Sequence, residues 1–294
     1  MSIQELLRDA SRRLLPVLKE QGLCRLESEI LLASALKKGR PWLITHQSFV
    51  PAKRLRAAFQ KLVERRLTHE PVAYLTRVCR FFNRDFYVDP RVLIPRPETE
   101  ELVIAALSFI KDPAKTCVLE VGVGSGAIAI SLKKERSTLH VIATDIDRRA
   151  LVIARRNART LKANVQFLHA DFLAPSLQKQ LTAARVSHLL LVANLPYVPL
   201  SDRKTLMSDV VNFEPHHALF ARQHGMALNK RLLKEAAHFY RQDGRPLSLV
   251  LEFDPPQATA LKKEASRLFP QATVIVRQDT CGRDRLLLIS LLGS

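Results

Sequence analysis

The sequence predicts an α/β protein: a mostly parallel sheet with helices on both faces, preceded by a small helical bundle. Three observations carry that expectation. From residue 91 onward, short runs of Val, Ile and Leu alternate with amphipathic stretches, the pattern of repeated β–α units. The last two such runs, 272–279 and 285–292, lie too close for a crossover and must form a hairpin. The first seventy residues, by contrast, show only helical spacing.

In chain order, Ile3, Leu6, Leu7, Ala10, Leu14 and Leu18 make one helical stripe. A second helix covers 26–36 and ends near Gly39, Arg40 and Pro41, a helix-stopping cluster. A third follows Pro51, with Leu55, Phe59, Leu62 and Val63 on its apolar face. Residues 74–94 change character. The run RFFNRDFYVDPRVLI gathers aromatic and β-branched side chains, and Asn83–Arg84–Asp85 is the expected turn of a short hairpin. The expected domains are therefore a helical domain at 1–73, a hairpin linker at 74–94 and the sheet domain at 95–294. Strands are expected at 117–121, 140–145, 165–171, 188–194, 246–253, 272–279 and 285–292. Helices are expected at 127–134, 150–161, 226–241 and 257–269. The closing hairpin puts one antiparallel strand at the end of the sheet.

The whole chain sets limits on function. With 47% hydrophobic and 25% charged residues among 294, it has the balance of a soluble globular protein. No run approaches eighteen apolar residues, and MSIQELLRDASRRLL reads as an amphipathic helix rather than a leader, so a cytoplasmic protein with no membrane partner is expected. Cys24, Cys79, Cys117 and Cys281 are far apart and lack metal-ligand spacing; reduced thiols and no metal are expected. The net charge of +18 suits a phosphate-bearing partner, and suits equally a generally basic proteome. Half of that excess lies in residues 1–80, which hold sixteen Lys and Arg against seven Asp and Glu. No RNA-binding motif accompanies it, so direct nucleic-acid binding stays open, and a monomer is expected.

After the strand at 117–121 comes Glu120-Val121-Gly122-Val123-Gly124-Ser125-Gly126, opening a helix. Alternate glycines let the backbone turn sharply and approach a ligand. The spacing departs from the dinucleotide fingerprint G-x-G-x-x-G, and no Lys-Ser/Thr follows as in a phosphate-binding loop. Alone, the loop could be a structural turn. Asp145 ends the next strand, where a carboxylate can accept from ribose hydroxyls. Asp171-Phe172 ends the third, where an acid can accept from an adenine amino group and an aromatic can stack on its ring. Together they describe an adenosine-shaped site without a phosphate anchor, at the C-terminal edge of the sheet.

The fourth strand ends in Asn194-Leu195-Pro196-Tyr197. Asn194 offers a carbonyl, backbone carbonyls near Pro196 are free to accept, and Tyr197 offers an aromatic face. Two acceptors can hold an NH2 group by both hydrogens and aim its nitrogen at a methyl sulfonium. A planar amide or aryl amine is a poor nucleophile, and contacts that favour a partly pyramidal nitrogen strengthen in the transition state. No strong general base is required. His188, His216 and His217 are assigned no role.

These residues resemble the bacterial release factor glutamine methyltransferases over nearly the full length. The resemblance is carried by EPVAYLT (70–76), VLIPRPETEELV (92–103), EVGVGSGAIAI (120–130), NLPYV (194–198), NFEPHHALFA (212–221) and DTCGRDR (279–285). It implies a seven-stranded, Rossmann-like class I S-adenosylmethionine-dependent methyltransferase domain with a small N-terminal helical bundle and a β-hairpin linker. It implies methylation of the glutamine N5 in the Gly-Gly-Gln loop of class I peptide-chain release factors, which would be the protein partners. It places S-adenosylmethionine against Gly122, Val123, Gly124, Ser125, Gly126, Asp145, Asp171, Phe172 and Asn194. Substrate contacts fall on Asn194, Leu195, Pro196 and Tyr197, with Arg96, Pro97 and Glu98 in the pocket wall. Asn194, Pro196 and Tyr197 carry the reaction, and the helical domain recognises the partner's body.

The chain departs from the family pattern in places. Leu195 stands where N-P-P-Y has its first proline, and N-L-P-Y also occurs in enzymes that methylate adenine N6 in ribosomal RNA. Arg77 stands where a glycine usually follows L-T, so an altered linker turn is expected. Ser187-His188 and Glu252-Phe253-Asp254 are also atypical. The alternatives are an adenine N6-methyltransferase acting on ribosomal RNA, a glutamine methyltransferase of a ribosomal protein, and a binding module that keeps the fold without catalysis.

Overall fold

In the computed structural model, which describes residues 1–175, 177, 180–181 and 186–291, the chain divides into two units. Met1–Val78 with Leu206–Phe213 form one, and Cys79–Thr205 with Glu214–Ser294 form the other.

The first unit contains helices α1 (Ile3–Leu18), α2 (Gln21–Leu36), α3 (Arg40–Thr45), α4 (Lys53–Leu67) and α5 (Val72–Thr76). α1 starts on a capping box: Ser2 N donates to Glu5 at 2.7 Å and Glu5 N to the Ser2 hydroxyl at 3.3 Å. The expected stripe becomes the core, with Ile3, Leu6, Ala10 and Leu14 buried against Leu31, Leu32, Phe59 and Val63. Gly39 and Pro41 do more than end a helix. Gly39 is the N-cap of α3 and Pro41 lies in its first turn, where a missing N–H costs nothing. Arg66 of α4 is buried, donates to Glu27 at 2.6 Å and lies 3.6 Å from Asp209. Segment 206–213, expected within the sheet domain, thus clusters with the helices.

Strands β1 (Val78–Phe81) and β2 (Arg84–Tyr87) form the hairpin. Its turn falls on Phe82–Asn83, at φ +46° and +61°, so it lies one residue earlier than expected and Arg84 and Asp85 belong to β2. Residues 74–76, assigned to the linker from sequence, are helical in α5. Arg77 ends that helix at φ +62°, the left-handed conformation that glycine adopts freely; the larger side chain does not prevent the positive-φ turn.

The second unit is built on seven strands: β3 (Thr116–Val121), β4 (His140–Asp145), β5 (Gln166–His169), β6 (His188–Ala193), β9 (Leu247–Glu252), β10 (Thr273–Gln278) and β11 (Asp284–Leu291). Their order is β10-β11-β9-β6-β3-β4-β5. A short pair, β7 (Val198–Pro199) with β8 (Phe220–Ala221), lies outside that sheet. The antiparallel strand is β11, as the hairpin requires, but it is not at the end of the sheet; it fills the place between β9 and the edge strand β10. The composition explains this. β11 is nearly continuously apolar and mostly buried, whereas β10 carries no fully buried residue, as an edge strand should.

Side chains alternate across the sheet. Leu119, Leu191, Leu249 and Ile289 pack on one face, and Val118, Leu190 and Val250 on the other. Helices α6 (Glu100–Phe109), α7 (Ala127–Glu135), α8 (Arg148–Thr160), α10 (Ala227–Asp243) and α11 (Ala258–Leu268) cover it; α9 is Ser208–Phe213, in the first unit. α6 was not expected, because its apolar run LVIAAL is as strand-like as helical in isolation. Among the described residues, no helix is long and apolar enough to cross a membrane.

Candidate active site

The glycine loop leaves β3 and is fixed by the neighbouring strand. Gly122 and Val123 donate to Thr144 O, both at 2.9 Å. Gly122, Gly124 and Gly126 all have positive φ, and a Cβ on Gly122 would come within 3.0 Å of Leu195 Cδ2. Asp145 holds the loop from the end of β4: one carboxylate oxygen accepts from Gly124 N at 2.9 Å, the other from Asp147 N at 2.8 Å. Burial raises the Asp145 pKa above the ordinary aspartate value despite those two bonds. Asn157 braces the loop from α8. Its Nδ2 donates to Ser125 O at 2.8 Å and to Tyr87 O at 2.9 Å, and its Oδ1 accepts from Tyr87 N at 2.8 Å.

A cavity of about 360 Å³ opens at this sheet edge. It brings together Gly122, Val123, Gly124, Ser125, Asp145, Asp171, Phe172, Asn194, Leu195, Pro196 and Arg96 from the residues expected in sequence. Gly126 lies behind it, closely packed; a Cβ there would meet Ile130 Cδ1 at 2.8 Å. Pro97 and Glu98 are exposed and outside the lining, and Glu98 lies 3.7 Å from Arg283. Tyr197 is also outside the lining: its phenol donates to the buried Glu252 at 3.0 Å. His217 lines the cavity and lies 3.2 Å from Asp147, whereas His188 pairs with Ser248 away from it.

The cavity's charge is distinctive. Each of its three arginines has a carboxylate partner: Arg91 with Asp89 at 2.6 Å, Arg96 with Glu214 at 2.5 Å, and Arg231 with Asp171 at 2.9 Å. Arg231 also lies over the Phe172 ring, 4.1 Å from its centroid. The arginines are therefore already engaged, Arg231 by Asp171 of the same wall, while Glu120 and Asp145 add acidic groups to it. Such a lining suits a ligand with positive charge and no phosphate.

Several of these residues left little trace in the sequence. Glu120 heads the glycine loop, is 1% exposed and accepts from Ala129 N at 2.8 Å. Burial drives its pKa well above 4.5, with the charge of Asp145 adding to the shift. The folded state therefore binds a proton that the unfolded chain releases, and stability falls as pH rises from about 4.5 towards the raised value. Glu120→Gln keeps an acceptor and removes the buried charge. Its melting temperature should exceed the parent's at pH 8, with the gap closing near pH 4.5; scanning calorimetry at both pH values would reveal a constant gap if charge burial is not the cause. Glu214, within NFEPHHALFA, accepts from Ile94 N at 3.2 Å as well as from Arg96. Arg231 belongs to an amphipathic helix and had no sequence signal. All four cysteines are free, and no cluster of metal-ligating side chains occurs among the described residues.

Residues 5–76 match the PrmC N-terminal domain and residues 118–213 a methyltransferase domain. A release factor glutamine methyltransferase of Moorella thermoacetica is 37% identical over 290 residues, covering 98% of both chains. One from Staphylococcus aureus is 33% identical over 269 residues, covering 92% of this chain and 93% of that one. One from Enterococcus faecalis is 35% identical over 245 residues, covering 83% and 84%. Among solved structures, the hMettl16 catalytic domain bound to an RNA hairpin has a TM-score of 0.54 at 16% identity, covering 72% of this chain and 76% of that one; this likeness concerns the fold. On these matches over nearly its full length, the chain belongs to the release factor glutamine methyltransferase family.

Proposed function

We propose that this protein transfers the methyl group of S-adenosylmethionine to the side-chain N5 of the glutamine in the Gly-Gly-Gln loop of class I release factors, in the cytoplasm. The observation that carries it is the state of Asn194. Its Nδ2 donates to Thr99 Oγ1 at 3.0 Å, and its side chain lines the cavity, so its carbonyl oxygen remains as an acceptor beside the glycine loop and Asp145. What supports the cofactor is a cavity whose volume suits a small ligand, arginines already paired with carboxylates, and the Asp145 carboxyl at the end of β4.

When bound, S-adenosylmethionine supplies an electrophilic methyl on a positively charged sulfur. Asp145 and the backbone of Gly122–Ser125 would hold the adenosine part, and Phe172 would offer a face for the ring. Asn194 and a backbone carbonyl beside Pro196 would accept the two amide hydrogens and orient the nitrogen towards the methyl donor. As that nitrogen takes up the methyl in exchange for one proton, which passes to water, it becomes partly pyramidal. Contacts that favour pyramidal nitrogen are stronger at that point than in the ground state, so they raise the rate rather than merely binding.

Methyl-labelled S-adenosylmethionine, incubated with the full chain and either a release factor or ribosomal RNA from the same cell, tests this directly. Label on the Gly-Gly-Gln glutamine is expected. Label on adenine instead would overturn it in favour of nucleic-acid chemistry, and would point to Leu195 as the origin of the change.

A further inference from the structure

We infer that Thr99 is a positioning residue that sets the orientation of the Asn194 amide by direct contact. The inference rests on the proposed glutamine chemistry for its kinetic consequence, but not for its geometry.

Thr99 closes the 3-10 turn at Pro97–Thr99 that runs into α6, in a right-handed helical conformation, and its hydroxyl makes no capping bond. Thr99 is 3% exposed, and its oxygen accepts from Asn194 Nδ2 at 3.0 Å, across 95 positions of sequence.

With the Thr99 oxygen accepting from Asn194 Nδ2, the amide turns its NH2 inward and its carbonyl to the cavity. Were Thr99 to donate to Asn194 instead, the amide would flip and present donors to an incoming NH2 group, which cannot hold it.

The test uses the full chain with Thr99→Ala and Thr99→Ser, a release factor as substrate, and two readouts. In Thr99→Ala, kcat should fall about 10- to 100-fold, the scale for a misplaced reacting group. S-adenosylmethionine affinity should stay within about 2-fold, as for a group that acts on orientation rather than cofactor binding. Thr99→Ser restores the hydroxyl and should recover kcat to within about 3-fold of the parent, a margin near one weak hydrogen bond. Independently of any substrate, the side-chain NH2 signals of Asn194 in a ¹⁵N spectrum should move in Thr99→Ala and return in Thr99→Ser. Unmoved NH2 signals, or equal losses in both variants, overturn the inference. If the parent transfers nothing to glutamine while the NH2 signals still respond, the positioning stands and the proposed substrate falls.

Discussion

Asn194→Ala is expected to lower the rate of methyl transfer about 10²–10³-fold, the loss typical of removing one preorganised group that stabilises a transition state. Affinity for S-adenosylmethionine should change far less. The asymmetry follows from what the side chain does. Its Nδ2 is committed to Thr99 Oγ1, and its carbonyl is the part left to meet an incoming NH2 group. Alanine removes that acceptor and also leaves the buried Thr99 oxygen without its donor. The amide nitrogen of the substrate then loses the contact that favours its pyramidal form, and this contact is worth more as the N–CH3 bond forms than before it. Single-turnover rates and calorimetric cofactor titrations on the same samples separate the two effects. Equal losses in rate and cofactor affinity would assign Asn194 to cofactor binding alone and remove it from the reaction.

What the sequence revealed of this site divides along a physical line. Strands β3, β4, β5 and β6 were legible because each is a short apolar run whose C-terminal end changes abruptly to glycine, Asp, Asp-Phe or Asn. Those ends share one sheet edge because parallel strands must start and stop together. Apart from Arg96, the cavity residues found in advance are therefore the ones at or just beyond strand ends. Strand order was harder. Hairpin geometry required β10 and β11 to be antiparallel, but only the burial of β11 over nearly its whole length reveals that it lies inside the sheet.

Polar pairing across long sequence distances was not legible at all. Thr99 with Asn194, Glu252 with Tyr197, Arg96 with Glu214 and Arg231 with Asp171 leave no periodicity, because each is a single contact rather than a repeating face. Pro97 and Glu98 show the converse case. They lie in the most family-specific segment, yet the neighbours that face the cavity are Arg96 and Thr99, while the 3-10 turn at Pro97–Thr99 points the intervening pair outward. Leu195 illustrates how a departure can be absorbed. The side chain is 4% exposed and packs where a Cβ on Gly122 would come to 3.0 Å, so it fills space beside the glycine loop.

Gly225→Ala is expected to be the most damaging substitution outside the cavity. Gly225 has φ +82°, and a Cβ built on it would fall 1.9 Å from Tyr197 O and 2.4 Å from Gln257 Nε2. Those two atoms are already bonded to each other at 2.8 Å, and Gln257 also donates to His224 O at 3.0 Å. The left-handed conformation costs an alanine about 1–2 kcal/mol. The overlap adds more, because the atom in the way is backbone and the strand–turn that carries it cannot simply rotate aside. A total of about 3 kcal/mol or more is expected, a drop of roughly 6–12 °C in melting temperature for a domain of this size. Gly244→Ala provides the control. It shares the positive φ, at +72°, but an added Cβ meets nothing within 4 Å, so only the backbone cost applies. The difference between the two variants isolates the clash. Below its melting temperature, Gly225→Ala should also lose catalytic rate, because relieving the overlap displaces the Tyr197 carbonyl and with it the turn that presents Asn194 and Pro196. Equal melting temperatures for the two variants would show that the Tyr197 turn yields at no cost, and that the site's geometry is not held from this side.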